Sequence, residues 1–289
     1  MTNLTSAQLE AKKRERSLKR QRFASQAYLW FLLCILYAPI LLIIFFSFTQ
    51  SKVLGNWTGF TFGLYENLFT GYDHVAQVEV NPNMYASLVY TVIIAFISAT
   101  IATLLGTLAA IGIFNMRQRS RRAIQLLNSV PMINPDILTG ISLLLLFVAV
   151  GVSRGLTTIV IAHVVFCTPY VILSVMPRLT KMNPNIYEAA LDLGATPFQA
   201  LRKVMMPELW PGMLSGFILS ITLSIDDFGV TFFTKGSSGI DTLSTFIYAD
   251  ASKGGLTPEL RPLFSLIFLT MLVLLIIINW RAMKQAKSK

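Results

Sequence analysis

Long apolar runs alternate with polar stretches along this chain. Six runs are long enough to cross a bilayer: about Tyr28–Thr49, Tyr85–Asn115, Leu126–Val150, Thr157–Met176, Met213–Phe233 and Leu263–Trp280. A membrane-crossing helix needs roughly 18 to 20 apolar residues. The pattern therefore predicts an all-α polytopic membrane protein with six transmembrane helices. The polar stretches differ in length: Ser51–Met84, Lys235–Pro262 and the one between the fourth and fifth runs are long.

Composition and charge sharpen this picture. Of 289 residues, 54% are hydrophobic and only 13% are charged, about half the charged fraction usual in soluble domains. The net charge of +10 would suit nucleic acid, but the basic residues cluster at the ends of the runs, which favours a topology signal and no nucleic-acid partner. Nineteen Lys and Arg fall on one side, in Lys12–Arg22, Arg117–Arg122, Arg178–Lys203 and Arg281–Lys289. Five fall on the other: Lys52, Arg154, Lys235, Lys253 and Arg261. Basic segments stay in the cytoplasm, so both termini are expected inside. The first run is too long for a cleaved signal peptide, and FSFTQS after it offers no small-residue cleavage site, so it is read as a retained anchor. The arm KKRERSLKRQR before it either lies on the anionic lipids of the inner leaflet or only sets topology. Cys34 and Cys167, both inside apolar runs, are expected to be buried free thiols. The outer stretch with Trp57, Phe60, Tyr65, Phe69 and Tyr72 either docks an outside partner or packs as a cap.

The stretch EAALDLGATPFQALRKVMMP, Glu188 to Pro207, needs a separate explanation. A connector between two membrane helices needs only a few residues. Here Asn183 is an N-cap residue and Pro184 suits the first helical position. A helix then runs to Gly194, which stops it as a C′ residue. Thr196, Pro197 and Gln199 start a second helix with a capping box, expected to span Phe198–Met206 and to end before Pro207. Ala189 and Ala190 leave one face small enough for another surface to approach closely. Glu188 and Asp192 are four residues apart on one face, and this like-charge pair suits a partner that supplies the cation.

Glu188-Ala189-Ala190, three residues, Gly194, nine residues, Val204, one residue, Met206-Pro207 resembles the EAA loop of permease subunits of ATP-binding-cassette importers. Val204 and Met206 replace the usual Ile and Leu. The resemblance implies the type I importer permease fold and a coupling helix, Tyr187 to Gly194, seated in a groove of a cytoplasmic ATPase. It also implies a division into an N-terminal cytoplasmic arm (1–27), a transmembrane permease domain (28–280) with its coupling loop at about 182–207, and a basic tail (281–289). The chain has no G-x-x-x-x-G-K-[ST] phosphate loop. It is therefore expected to bind no cofactor and no metal and to catalyse no reaction, with ATP-Mg held by a separate ATPase dimer.

Acids inside membrane spans are costly and usually face a cavity. The candidates are Asp136 in NPDILTG and the pair Asp226–Asp227 in LSIDDFGVTFF. Adjacent carboxylates repel each other and ionise together most easily beside a cation. A cationic cargo fits, and the other reading is that one Asp caps a broken helix end or bonds a neighbouring hydroxyl. His163 and Tyr170 lie in the fourth run, and Pro131, Met132 and Pro135 interrupt the third, which suggests unwound backbone at a cavity. NPDILTGISLLLLF, IAHVVFCTPYVILSV and LSITLSIDDFGVTFFTKG resemble segments of the permeases of spermidine/putrescine importers, with Phe228-Gly229 standing where that family has a more β-branched run. The resemblance covers roughly Leu29 to Trp280. It implies a polyamine cargo moved by alternating access across a bacterial inner membrane, a homologous second permease, and an extracytoplasmic polyamine-binding protein. Asp226, Asp227, Asp136, His163 and Tyr170 are the candidate path residues. Two further readings stay open: the same importer with another cationic or metal-bearing solute, and a stand-alone secondary carrier or channel.

Overall fold

The computed structural model describes residues 6–49, 51, 53, 55–73, 77–183, 185–237, 239–253 and 256–287. Pro184, the Lys and Arg side chains of the arm before Arg22, and those of the tail after Trp280 lie outside the described residues. In chain order the elements are α1 (Ser6–Phe46), α2 (Gly63–Thr70), β1 (Tyr72–Asp73), β2 (Val78–Glu79), α3 (Pro82–Phe114), α4 (Gln118–Ile133), α5 (Asp136–Val150) and α6 (Leu156–Lys181). Then follow α7 (Asn185–Asp192), α8 (Pro197–Ala200), a π-helical turn (Leu201–Met205), α9 (Met206–Asp226), α10 (Gly229–Thr234), α11 (Leu243–Ser252) and α12 (Leu260–Lys287). The fold is helical as expected, apart from one two-residue antiparallel pairing of β1 with β2. Each of the six apolar runs is helical, but their limits differ from expectation in three places.

The chain divides into two compact units, Met1–Val80 with Gly255–Lys289, and Asn81–Gly254. In the first unit, α1 is one helix through the expected arm and the first span and packs against α12. Its segment Gln21–Phe46 turns its apolar surface outward, as suits a helix solvated by lipid. That is why Cys34, expected to be buried, is exposed. The outer segment folds back on the end of α1. Trp57 stacks on Phe45 at 4.5 Å, Phe60 on Phe48 at 5.3 Å, and the Tyr65 hydroxyl lies 2.8 Å from Ser47 Oγ. Three of the five outer aromatics are thus part of a packed cap, while Phe69 is 76% exposed. Arg261 Nη1 donates to Ser51 O at 2.8 Å and ties α12 to this cap.

In the second unit, α3, α6 and α9 pack on one another. In lipid no hydrophobic force draws helices together, so close backbone approach at small residues does the work. The α3 interface is a stripe of Ala95, Ser98, Ala99, Ala102 and Gly106, all buried. A Cβ on Gly106 would sit 2.7 Å from Val171 Cβ of α6. Cys167 of α6 is buried there as expected.

The expected third span, Leu126–Val150, is two helices, α4 and α5, bent by 103°. Asn134 and Pro135 are extended, with ψ of 135° and 137°. Pro135 has no N–H and pushes the residue before it out of the helical region. Pro131, by contrast, sits inside α4 without ending it. The fifth run is likewise split: α9 ends at Asp226, Asp227 is extended with ψ of 130°, and α10 restarts at Gly229. The third difference lies at Pro207. The second loop helix does not end before it, but passes through the π turn into α9, and Pro207 falls in the first turn of α9. A proline ring in a regular helix collides with the carbonyl four residues back. The wider turn, closed by Met206 N–H to Leu201 O, relieves that collision.

Candidate functional site

The loop that follows α6 carries out its helix grammar locally. Asn183 Oδ1 accepts from Asn185 N at 3.0 Å, starting α7. Gly194, at φ 86°, ends it. Gly194 N donates to Leu191 O at 2.8 Å and Ala195 N to Ala190 O at 3.0 Å, the paired bonds of a Schellman motif. Both bonds of the capping box are present, Gln199 N to Thr196 Oγ1 at 3.3 Å and Thr196 N to Gln199 Oε1 at 3.1 Å. Tyr187 is half-buried and packs against the core of the second unit. Ala189, Asp192 and Gly194 are exposed, as is Pro207, and Ala190 is half-buried. Leu193 and Phe198 are 89% and 68% exposed. Tyr187 and Glu188 line a cavity of about 700 Å³ with Phe114, Met182, Phe198 and Met205. A small-faced helix, two bare apolar side chains and an acid-bearing cavity make a surface that suits a partner.

Asp136 lies where α5 meets α10, close to the break that follows Asp226 and Asp227. Both backbones are bare of side chains at the crossing. A Cβ on Gly140 would sit 2.7 Å from Gly229 O, and one on Gly229 would sit 3.2 Å from Asp136 C. This approach sets Asp136 against Gly229, three residues past Asp226 and two past Asp227: a Cβ on Gly229 would sit 3.3 Å from Asp136 Cβ. Gly229, a departure from the expected β-branched run, is what allows it.

The two adjacent acids have different surroundings. Asp227 is 4% exposed. Its Oδ1 accepts from Val230 N at 3.1 Å, and its Oδ2 accepts from Thr231 N and Thr231 Oγ1, both at 2.8 Å. It thereby caps the first turn of α10. Asp226 and Asp136 are exposed on the chain, and α5, α9 and α10 contain no Lys or Arg to pair with either. His163 is fully buried. Its Nδ1 lies 2.7 Å from Ser224 Oγ and its Nε2 lies 2.8 Å from Thr231 Oγ1 and 3.4 Å from Asp227 Oδ2. Tyr170 is half-buried. Ser224, Thr231, Gly140 and Gly229 were not among the expected site residues. The only sequence signal for them is small or hydroxyl-bearing residues one turn from the acids.

The family model for "Binding-protein-dependent transport system inner membrane component" matches residues 102–283. The chain is 34% identical over 255 residues to the spermidine/putrescine transport system permease protein PotC of Haemophilus influenzae, covering 88% of this chain and 95% of that protein. It is 35% identical over 239 residues to the putrescine transport system permease protein PotI of Escherichia coli, covering 80% and 81%. Among solved structures, a chain of a bacterial ABC transporter involved in the import of the acidic polysaccharide alginate superposes with a TM-score of 0.64 at 16% identity, over 93% of this chain and 97% of that one.

Proposed function

The chain belongs to the family of binding-protein-dependent transport system inner membrane components, and we propose that within it the chain moves polyamines such as spermidine and putrescine in an ATP-driven importer. As a member it is a multi-pass inner-membrane transport subunit with the ABC importer permease fold, and not an enzyme. Polyamine cargo is supported by the identity with the two polyamine permeases. The observation that carries it is the exposure of two carboxylates, Asp226 and Asp136, on helices that contain no Lys or Arg. An ammonium group of the cargo supplies the missing countercharge.

The coupling partner is an ATPase dimer that holds ATP-Mg, with no cofactor on this chain. A homologous permease and an outside binding protein complete the assembly. The exposed surface of α7 and Phe198 receives the ATPase. From Pro197 to Asp226 the chain is a single helical rod of 30 residues, about 45 Å long at 1.5 Å per residue. A push at the loop therefore reaches Asp226 without crossing a hinge other than the π turn, and π turns mark such functional positions. Closure of the ATPase tilts this rod, opens the spans outward and accepts cargo at the carboxylates; hydrolysis resets them inward.

The test is ATP-dependent uptake of labelled spermidine and putrescine by the reconstituted complex, wild type beside Asp226→Asn and Asp136→Asn. Uptake by wild type and its loss in Asp226→Asn, with assembly intact, supports the reading. A wild-type complex that ignores both amines sinks the polyamine assignment. Uptake by the purified chain alone, driven by a gradient without ATP, sinks the importer mechanism.

A further inference from the structure

The two acids of the Asp226–Asp227 pair are expected to act alike if both meet cargo. Their surroundings say otherwise, and the difference is traceable proton by proton. The hydroxyl of Thr231 has one proton and donates it to Asp227 Oδ2. Its 2.8 Å contact with His163 must then use a proton on His163 Nε2. In the neutral ring that leaves Nδ1 as acceptor, and the Ser224 hydroxyl, 2.7 Å away, donates to it. Ser224, His163, Thr231 and Asp227 form one directed chain of hydrogen bonds, all four residues at most 4% exposed. They come from α9, α6, α10 and the break between α9 and α10.

We propose that His163, Ser224, Thr231 and Asp227 are positioning residues that pin the break between α9 and α10 to α6. Asp227 is a fixed structural anion, and Asp226, next to it and outside the pin, is the one of the pair that meets cargo. A broken helix in a membrane frees backbone groups that lipid cannot satisfy. Asp227 takes up two of those N–H groups, at Val230 and Thr231. Consecutive side chains on a helix point about 100° apart, and at the end of α9 Asp227 is buried while Asp226 stays exposed. The cargo half of this inference rests on the polyamine reading; the pin itself does not.

The test uses the complete complex. Melting is measured first, without cargo, for wild type, Asp226→Asn and Asp227→Asn. Asp227→Asn is expected to melt at least ~5 °C lower and Asp226→Asn with wild type. Uptake against cargo concentration is then measured for Asp226→Asn, Asp227→Asn, Thr231→Val and Thr231→Ser. Asp226→Asn is expected to raise KM about tenfold or more. Thr231→Val keeps the side chain's size but loses the donor, and is expected to cut Vmax/KM about tenfold. Thr231→Ser restores it to within about twofold of wild type. Asp227→Asn melting with wild type, or Thr231→Val matching Thr231→Ser, overturns the pin. Asp227→Asn raising KM as Asp226→Asn does, without a loss of melting temperature, overturns the division between the two acids. Should Asp227→Asn not assemble, the melting points of Thr231→Val and Thr231→Ser decide, Val below Ser supporting the pin and equality refuting it. A wild-type complex that takes up no polyamine refutes the cargo reading and leaves the cargo-free melting comparison standing.

Discussion

The chain interrupts its helices at Leu193–Thr196 and again at Asp227–Phe228, and the two breaks are held in different ways. At the first, every stabilising bond closes within five residues: Gly194 to Leu191, Ala195 to Ala190, Thr196 to Gln199 and back. At the second, Asp227 caps α10 locally, but His163 binds the same Thr231 from 68 positions away. Water explains the difference. A break on the cytoplasmic side can leave spare backbone groups to solvent, so a local cap suffices. A break within the bilayer has no such recourse and must recruit other helices. The first break can therefore stand on the surface, while the second must be built into the core.

The sharpest way to break this comparison is Gly194→Pro. Gly194 stands at φ 86° and its N–H donates to Leu191 O. Proline is locked near φ −65° and has no N–H, so the substitution costs about 3 kcal/mol or more at this site. Because the turn is self-contained, the damage should stay in the loop. ATP-dependent uptake is expected to fall to background, and cargo-stimulated hydrolysis with it, while the helices of the second unit keep their amide-exchange protection. Normal coupling in this variant would show that the Schellman turn is not what presents α7.

Gly140→Val probes the other kind of break. Its first added carbon would lie 2.7 Å from Gly229 O, and backbone cannot move aside as a side chain does. Overpacking of this sort costs about 1–3 kcal/mol. The strain here should spread, because α5 and α10 are held only by tertiary contact. We expect a lower melting temperature, and uptake reduced even where assembly survives, since Asp136 is moved from its place against Gly229. Wild-type melting and uptake would mean that the close crossing of α5 and α10 is dispensable.

The contrast also explains what could be read from the amino-acid sequence. The loop was legible almost to the bond, since Asn183, Gly194, Thr196 and Gln199 act on neighbours two to three residues away. It failed only at Pro207, where a π turn carries the helix through a residue that ordinarily stops one. The acids of the spans were legible as a set, because charge in an apolar run is conspicuous. Their separate surroundings were not. Nothing in LSIDDFG says that one Asp will accept three bonds and the other none of these, as that depends on where α6 places His163 and where α5 meets Gly229. The bend between α4 and α5 lies between these cases: Pro135 announced a break, but its angle is set by the packing of α5 against α10.

The smallest expected effect tests whether the loop is as self-contained as the comparison requires. Thr196→Ala removes the hydroxyl that accepts from Gln199 N, while Gln199 Oε1 can still reach back to the residue 196 amide. Losing an N-cap of this type costs about 1 kcal/mol. Thr196 is exposed, so no buried group is orphaned with it. Amide exchange at Phe198, Gln199 and Ala200 should speed up about fivefold, Thr196→Asp should restore it, and exchange across α10 should not change. Uptake should fall by less than about threefold, since the remaining half of the box and the Gly194 turn still set the direction of α8. If Thr196→Ala instead loosens α10, the rod from Pro197 to Asp226 transmits a fault at its start to its far end. The two breaks would then be one mechanical unit rather than two devices held in separate ways.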